Sequence, residues 1–311
     1  MHNRGFLRKE PSLFKNLIVY RIAAGWSVSA AQMEESLENA RFVECGATQP
    51  LSVGWVEPRG VAHGPLAEVV AGQLLLKLAT EQKVLPGTVV KRRVDEMAAR
   101  IEQSTGRKPG KKQKKELKEE AVLELLPQAF TKQSLMNVWI DAQHMLLLVD
   151  ASSPARADEV VTLLVKSFEG LSISHVATVE SPALAMTRWL ATGEPPQGFS
   201  VDRECELKSA DEMKSVVRYA RHPLDTDEVR RHVAEGKLPT KLALTWQGRV
   251  SLLLTDAMQI KKIAFLDGVF EGSKPGKDEA FDADAAIATG ELRQLIPDLI
   301  EALGGEQPLP A

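Results

Sequence analysis

The apolar residues of the chain recur with two different periods, and this pattern predicts a mixture of strands and helices. Residues 17–21 form an apolar run of strand length. Behind this run, Met33 and Leu37 share one helical face. Ser29 precedes that face and Gln32 follows Ser29 three residues later, which is the spacing of a helix-capping box. The first part of the chain therefore predicts a strand followed by a helix.

Two helices are predicted next, because apolar residues recur at helical spacing in two series separated by a polar turn. The first series comprises Val90, Val94, Met97, Ala98 and Ile101, and the second comprises Leu117, Ala121, Val122 and Leu125. Pro109 and Gly110 interrupt the pattern between the series, and Pro127 ends the second one. Residues 86–130 therefore predict a helical hairpin that projects from the rest of the protein.

The remainder of the chain interleaves strands and helices. Further strands are predicted over residues 54–56, 73–79, 137–140, 145–149, 173–179, 241–245, 249–255 and 263–265. Further helices are predicted behind capping sequences at Ser153, Ser209 and Asp225, and over an apolar stripe at residues 292–303. The ββαβ order over residues 137–179 predicts a right-handed crossover on one sheet. The predicted fold class is α+β, with mixed sheets and packed helices.

Length and composition place these elements in a protein of about two domains. The chain has 311 residues, of which 44% are hydrophobic. The predicted segments are an N-terminal α/β part over residues 11–85, the hairpin over 86–130, a ββαβ part over 131–200 and a C-terminal α/β part over 201–311. Two distant cysteines, Cys45 and Cys205, match neither a disulfide framework nor a zinc ribbon. No segment has the pattern of a signal peptide or a membrane span, so a cytoplasmic protein without a membrane partner is predicted.

Charge is distributed unevenly along the chain. Residues 91–118 contain eleven basic and four acidic residues, whereas the whole chain contains 39 basic and 42 acidic ones. The basic residues of this stretch are Lys91, Arg92, Arg93, Arg100, Arg107, Lys108, Lys111, Lys112, Lys114, Lys115 and Lys118. A segregated positive region on an acidic protein favours attraction to a polyanion, with nucleic acid as the first candidate. The alternative interpretation is a solvated helix face without a ligand.

Two further sets of residues are candidates for nucleic-acid contact. Phe130 follows the basic hairpin, where an aromatic ring is either part of the core or a group that stacks on bases or wedges between them. Arg218, Arg221 and His222 form a second small basic cluster, for which a solvated loop is the alternative.

Catalytic chemistry has no positive signal in the sequence. The six histidines are scattered, without metal-ligand spacing to Cys, Asp or Glu. Asp282 and Asp284 would need further carboxylates to hold a divalent ion, and their place before the last helix favours a capping role. No catalytic residue, metal or cofactor is therefore predicted. A metal-dependent nuclease and a protein-only scaffold with a basic docking hairpin remain the alternatives to a DNA-binding protein.

Several short sequences, in order along the chain, resemble the recombination-associated RdgC family. They lie at residues 13–17 (LFKNL), 45–46 (CG), 54–55 (GW), 125–130 (LLPQAF), 139–141 (WID), 197–199 (QGF), 240–246 (TKLALTW), 281–284 (FDAD) and 299–306 (LIEALGGE). The resemblance covers residues 11–306, most of the chain.

The resemblance implies a function as well as a fold. RdgC-like proteins bind double- and single-stranded DNA without sequence preference, form a ring-shaped homodimer and restrain a RecA-type recombinase by occupying DNA. For this chain the resemblance implies nucleoid association, and it links Phe130, Arg221 and His222 to DNA contact. It also implies that Arg107 and Lys108 lie at the tip of the hairpin, near the place where the subunits meet.

Overall fold

The computed structural model describes residues 13–270 and 279–307, which divide into two compact units. The first unit contains the described residues of Met1–Ala30, Ala67–Leu75 and Asn137–Ala311. The second unit contains Ala31–Leu66 and Leu76–Met136. Strands and helices alternate in both units, so the predicted α+β class is confirmed.

Twelve strands and seven α-helices lie within the described residues. The strands are β1 (Leu17–Ile22), β2 (Leu51–Val56), β3 (Glu68–Val70), β4 (Gln73–Lys83), β5 (Thr131–Asp141), β6 (Leu146–Asp150), β7 (Ile173–His175), β8 (Phe199–Ser209), β9 (Val216–Ala220), β10 (Lys237–Trp246), β11 (Val250–Thr255) and β12 (Ile260–Phe265). The helices are α1 (Ala30–Glu38), α2 (Gly87–Thr105), α3 (Lys111–Leu125), α4 (Pro154–Ser167), α5 (Pro182–Thr192), α6 (Asp227–Ala234) and α7 (Ala280–Ala302). A 3₁₀ turn spans Leu126–Gln128.

The first unit is built on an antiparallel series of strands in the order β6-β1-β12-β11-β10-β8-β9. Along β10, Leu242, Leu244 and Trp246 are buried, whereas the intervening Ala243 and Thr245 are only half buried. This alternation gives the sheet one face on the core and one outer face. Helix α7 covers the core with a stripe that includes Leu292, Leu295, Ile296 and Leu299.

The second unit pairs β2 with the second part of β4, from Leu51↔Gln82 to Val56↔Lys77. The backbone beside β2 approaches very closely at Gly54, where an added Cβ would lie 2.4 Å from the Cα of Phe42. Only glycine fits at this position, because any other residue would place its side chain inside the neighbouring backbone. Buried Trp55 and Leu78, which face each other across the two strands, contribute to the core of this unit.

Helices α2 and α3 are the two predicted helices of the basic stretch, and they pack against each other in the second unit. Val90 of α2 and Leu117 and Ala121 of α3 are buried. Arg93 joins the helices through both oxygens of Glu124, at 2.8 Å and 2.6 Å. The apolar contact and the bidentate ion pair together fix the two helices side by side.

The prediction of a helix after Ser209 is wrong. Ser209 is the last residue of β8, and residues 210–215 form the turn into β9. The side chain of Asp211 accepts a hydrogen bond from the backbone N–H of Lys214, and Ser209 Oγ accepts one from the N–H of Asp211. Ser and Asp side chains accept hydrogen bonds from backbone N–H groups in turns as well as at helix caps. The residues that suggested a helix cap therefore stabilise a turn here. The helix predicted behind Asp225 is confirmed as α6, with Thr226 as its cap.

The strand predicted over residues 173–179 is also too long, because β7 ends at His175. Beyond it, the N–H of Val179 donates to the carbonyl of Gly305 and the N–H of Glu180 donates to that of Leu303. The chain therefore leaves β1 to pair with the segment after α7. β6 and β7 both pair with Tyr20 and Arg21 of β1, so they lie on its opposite edges and the β6-α4-β7 connection crosses over β1.

Helix α5 and strands β3, β8 and β9 were not predicted. A signal for α5 was present in the sequence, since Ser181 caps the helix, Pro182 is its first residue and Gly193 ends it with a φ of 72°. The strands lack a comparable signal, because β8 carries charged residues at most of its outer positions. The predicted hairpin turn between β10 and β11 is confirmed: Gln247 and Gly248 both have positive φ, as a two-residue hairpin turn requires.

A buried carboxylate fastens α7 to the β5–β6 turn. Asp141 is 1% exposed and accepts hydrogen bonds from His144 Nδ1 at 2.7 Å and from Arg293 Nε at 3.0 Å. Burial acts to raise the pKa of Asp141, but the hydrogen bonds from His144 and the charge of Arg293 outweigh it, so the pKa is lowered. Asp141 is therefore a buried, ionised group that depends on its partners.

Replacement of Arg293 by Ala is expected to lower the free energy of unfolding by about 2 kcal/mol, because it removes one partner from a buried carboxylate. Urea denaturation measures this loss. The matched control is Arg188→Ala, which removes an arginine paired with Glu180 at a 52% exposed position and should change stability by less than about 0.5 kcal/mol. Equal effects of the two substitutions would contradict the role given to Asp141.

Candidate nucleic-acid interface

The eleven predicted cations of residues 91–118 all lie on or between α2 and α3. Helix α2 carries Lys91, Arg92, Arg93 and Arg100, the connecting turn carries Arg107 and Lys108, and α3 carries Lys111, Lys112, Lys114, Lys115 and Lys118. The turn begins where Gly106 ends α2 with a φ of 69° and ends at Gly110, the residue before α3. The two helices thus gather all of these side chains in the second unit.

Four of these cations are held by carboxylates of the same helix pair. Arg93 binds Glu124 and Glu96, and its side chain is only 23% exposed. Glu124 and then Glu96 raise the pKa of Arg93 through hydrogen bonds. Arg92, Lys108 and Lys115 make longer ion pairs of 3.9–4.0 Å with exposed partners. Arg93 therefore acts mainly inside the helix pair, whereas the three longer contacts are weak and exchangeable.

The other seven cations are exposed and have no ion pair within the part of the chain that the structure describes. They are Lys91, Arg100, Arg107, Lys111, Lys112, Lys114 and Lys118, and we call them the helix-pair cations. Since none of them forms an ion pair with a described carboxylate, their charge is available to an external anion.

Phe130 is not a core residue, because it is 87% exposed. Its position is nevertheless fixed: the N–H of Val84 donates to the carbonyl of Phe130 at 2.8 Å, and Leu126, in the preceding 3₁₀ turn, is buried. Lys83 Nζ also donates to the carbonyl of Leu126, at 2.9 Å. An ordered backbone therefore presents an aromatic ring to solvent at the end of the basic helix pair.

The second predicted cluster lies in the first unit, on and just after β9. Arg218 pairs across the strands with Glu206 of β8 at 2.6 Å, and Lys241 of β10 binds the same carboxylate at 3.1 Å. The hydrogen bond from Arg218, followed by those from Thr240 and Lys241, lowers the pKa of Glu206 to about 2. One carboxylate thus holds two cations on the outer face of the sheet.

Arg221 and His222 form the bend that follows β9. Arg221 has a φ of 57°, which turns the chain sharply at an exposed position. His222 Nδ1 lies 2.6 Å from the carbonyl oxygen of Pro223, and since that oxygen only accepts, Nδ1 is the donor. The ring of His222 also lies 5.5 Å from that of Tyr219. Both contacts hold the imidazole in one orientation.

Arg221 shares a groove with two cations that sequence reasoning missed. Arg203 of β8 and Lys262 of β12 line the same cavity, of about 300 Å³, on the outer face of the sheet. Lys262 Nζ reaches Glu204 Oε1 at 2.6 Å, although β10 and β11 lie between their strands, and this reach requires a concave face. The small side chains of Ala243 and Ser251 line the groove as well. We call this feature the sheet groove.

No signal in the sequence unites Arg203, Arg221 and Lys262. They come together only because β8 and β12 flank β10 and β11 in the strand order. Asp202 and Glu204 line the groove as well, so its lining contains three cations and two carboxylates. Arg203 and Arg221 have no ion pair among the described residues.

Neither a metal site nor a membrane-spanning helix lies within the described residues. Within residues 13–270 and 279–307, no group of three or more His, Cys, Asp and Glu side chains is arranged to hold a metal ion. Asp282 lies in the first turn of α7, where its negative charge interacts favourably with the positive end of the helix dipole. None of the described helices is long and apolar enough to cross a bilayer.

Comparison with known proteins matches nearly the whole chain to one family. The family model described as "Putative exonuclease, RdgC" covers residues 13–306. This chain belongs to the RdgC family. The recombination-associated protein RdgC of Herminiimonas arsenicoxydans is 46% identical over 297 residues, which are 94% of this chain and 98% of that protein. The proteins of the same name from Dechloromonas aromatica and Cupriavidus necator are 45% and 47% identical, each over 94% of this chain and 98% and 99% of theirs.

The resemblance drawn from the sequence is therefore confirmed at the level of the RdgC family. The matched region contains both the helix-pair cations and the sheet groove. The relatives are named for recombination, whereas the family model is described as "Putative exonuclease". The two names therefore point to different functions.

The lowered pKa of Glu206 predicts an acid-dependent contribution to stability. The pKa falls from its ordinary value of 4.5 to about 2 in the folded protein, so the stabilisation is complete above about pH 4.5 and is lost as the pH falls toward 2. Urea denaturation should show that the stability difference between the protein and Glu206→Gln shrinks as the pH is lowered from 5 to 3. A difference that does not change with pH would contradict the ion pairs described here.

Proposed function

We propose that this protein binds DNA without sequence preference and acts in recombination. In this proposal it occupies both double- and single-stranded DNA as a ring-shaped homodimer, and thereby limits the access of a RecA-type recombinase. Nucleoid association would follow from the same binding. The names of the relatives, which associate those proteins with recombination, support the biological setting.

The observation that carries the proposal is the set of seven exposed helix-pair cations without ion pairs among the described residues. Releasing condensed counterions from DNA is favourable for any cation that approaches a phosphate, whatever the base sequence. A cation already held by a carboxylate gains less, because it must first leave its partner. Uncompensated lysines and arginines on a helix pair are therefore suited to sequence-independent phosphate binding.

The sheet groove supports the same function from the first unit. Arg203 and Arg221 present ten N–H donors between them, and guanidinium groups match the geometry of phosphate oxygens. Phe130 adds a different kind of contact, since its exposed ring can stack on an unpaired base or enter a distorted base step. Contacts from these groups to phosphates or to the faces of bases carry no direct sequence information, which is consistent with binding that tolerates any sequence.

The salt dependence of DNA affinity tests the proposal. On a duplex of random sequence, the logarithm of the association constant should fall linearly with the logarithm of the salt concentration, by about 0.9 for each phosphate neutralised. The double substitution Lys111→Ala and Lys112→Ala should weaken binding at low salt and reduce this slope by about 1.8 for each subunit that contacts the duplex. Fluorescence anisotropy with a labelled duplex measures both quantities.

The matched control is Lys166→Ala, which removes an exposed lysine in the last turn of α4, outside both candidate surfaces. Its slope should equal that of the unmodified protein. Absence of binding to any DNA at low salt would refute the proposal. Degradation of the labelled duplex in Mg²⁺ would instead favour the exonuclease named in the description of the family.

Phe130 provides a second test, in which a substitution should affect DNA binding but not the stability of the fold. Phe130→Ala should weaken DNA binding about tenfold, because stacking of an aromatic ring on a base contributes roughly 1–3 kcal/mol. The melting temperature should change little, since the side chain is 87% exposed. Leu135→Ala is the control, because Leu135 is another exposed apolar residue, 62% accessible on β5, without a proposed role. A large loss of melting temperature in Phe130→Ala would contradict the exposed position.

A further inference from the structure

We propose that the helix pair also has a docking groove for an acidic peptide segment of another protein, with apolar side chains as its anchors. The groove lies between α2 and α3 and has a volume of about 530 Å³, within the range of roughly 300–1,000 Å³ that is usual for ligand sites. The DNA-binding proposal does not explain the apolar floor of this groove, although it shares the lysines of the rim, and the inference stands independently of that proposal.

The floor of the groove is apolar. Leu85, Val90, Val94 and Val122 line it, and no acidic residue does. Val90 is buried, whereas Leu85, Val94 and Val122 remain partly exposed to solvent. A DNA backbone offers phosphates and sugars, which gain little from an aliphatic floor. Apolar side chains of a peptide fill such a groove and remove its surface from water, as helices and short segments do in other grooves between helices.

The rim of the groove is basic. Lys91 of α2 and Lys114 and Lys118 of α3 line it, and all three are exposed without an ion pair among the described residues. An aliphatic floor inside a cationic rim is complementary to a segment that alternates apolar anchors with Asp or Glu. Charge complementarity of this kind fixes the orientation of a partner and accelerates its association.

Other occupants of the groove fit less well. The helix pair of a second copy carries the same excess, with eleven basic and seven acidic residues over positions 87–125, so two such surfaces repel each other. The segments of this chain outside the described residues are not acidic either: residues 1–12 contain three basic and one acidic residue, 271–278 contain two of each, and 308–311 contain none. Charge therefore argues against the helix pair of a second copy and against these segments, and it favours a separate acidic segment as the occupant.

The test uses the full chain and a fluorescent synthetic peptide that carries Asp and Glu, with leucines at helical i and i+4 positions. The peptide should bind, and two variants of it should bind at least about tenfold more weakly: one with both leucines replaced by Ser, and one with every acidic residue replaced by its amide. Absence of binding, or equal binding of the parent and Ser-substituted peptides, would overturn the proposal.

Substitutions in the protein locate the site. Val94→Ser removes part of the floor and Lys118→Glu reverses part of the rim, and each should weaken peptide binding about tenfold. The matched controls are Leu123→Ser, at a 58% exposed position of α3, and Lys166→Glu, at an exposed position of α4, since neither residue lines the groove. The controls should leave peptide binding unchanged. Because Val94 is half buried, thermal melting accompanies the assay, and the exposed Lys118 gives a result that does not depend on folding.

DNA binding and solution mass distinguish this proposal from the others. Val94→Ser should retain the affinity for duplex DNA and the mass of the unmodified protein in light scattering. An equal loss of DNA and peptide affinity in Val94→Ser would assign the groove to DNA, and a change in mass would assign it to a second copy. Failure of the unmodified protein to bind DNA, with peptide binding intact, would overturn the proposed function and leave the groove proposal standing.

Discussion

The repulsion among like charges on α2 and α3 is the constraint on which the candidate interface depends. Eleven basic residues on the two helices and their connecting turn destabilise the pair unless other interactions offset them. Buried Val90, Leu117 and Ala121 supply apolar contact, and Arg93 ties the helices through Glu124 and Glu96. One of the eleven cations is thus committed to holding the pair together, which leaves the helix-pair cations free to face an external anion. One member of this set of charges therefore contributes to stability, and the helix-pair cations are available for binding.

In the first unit, carboxylates on neighbouring strands offset part of the repulsion among the cations of the outer sheet face. Glu206 lies between Arg218 and Lys241 on neighbouring strands, and Glu204 binds Lys262 across the concave outer face. These carboxylates hold cations at fixed positions without neutralising all of them, since Arg203 and Arg221 have no ion pair within the described chain. A polyanion that approaches this face meets an ordered set of donors, and an ordered set loses less conformational entropy on binding than mobile lysines do.

Sequence periodicity predicted the parts of this arrangement that are local. The helix pair, its interrupting Pro109 and Gly110 and its terminating Pro127 follow from residues that are neighbours in the chain. The sheet groove was not predictable in this way, because Arg203, Arg221 and Lys262 meet only through the strand order of β8 to β12.

Local signals were also ambiguous where one residue type serves two structures. Ser209 and Asp211 have the side chains of a helix cap, yet they close the turn between β8 and β9. A helix needs an apolar face as well as a cap, and residues 210–214 contain a single large apolar side chain, Met213, which is 85% exposed. α5 shows the opposite case, in which Ser181 and Pro182 precede the buried Met186 and Trp189. The cap and the apolar face together, rather than the cap alone, distinguish the two segments.

The groove between α2 and α3 and the proposed DNA-binding surface share three lysines, so binding of a peptide and binding of DNA are coupled. Lys91, Lys114 and Lys118 belong both to the helix-pair cations and to the groove rim, so an acidic segment in the groove neutralises charges that would otherwise contact phosphate. Binding free energies are reciprocal: if the segment weakens DNA binding by some factor, DNA weakens binding of the segment by the same factor. The coupling needs no conformational change, because the three lysines are common to both ligands. Arg107, Lys111 and the sheet groove lie outside the groove lining, so such a segment would weaken the hold on DNA without abolishing it.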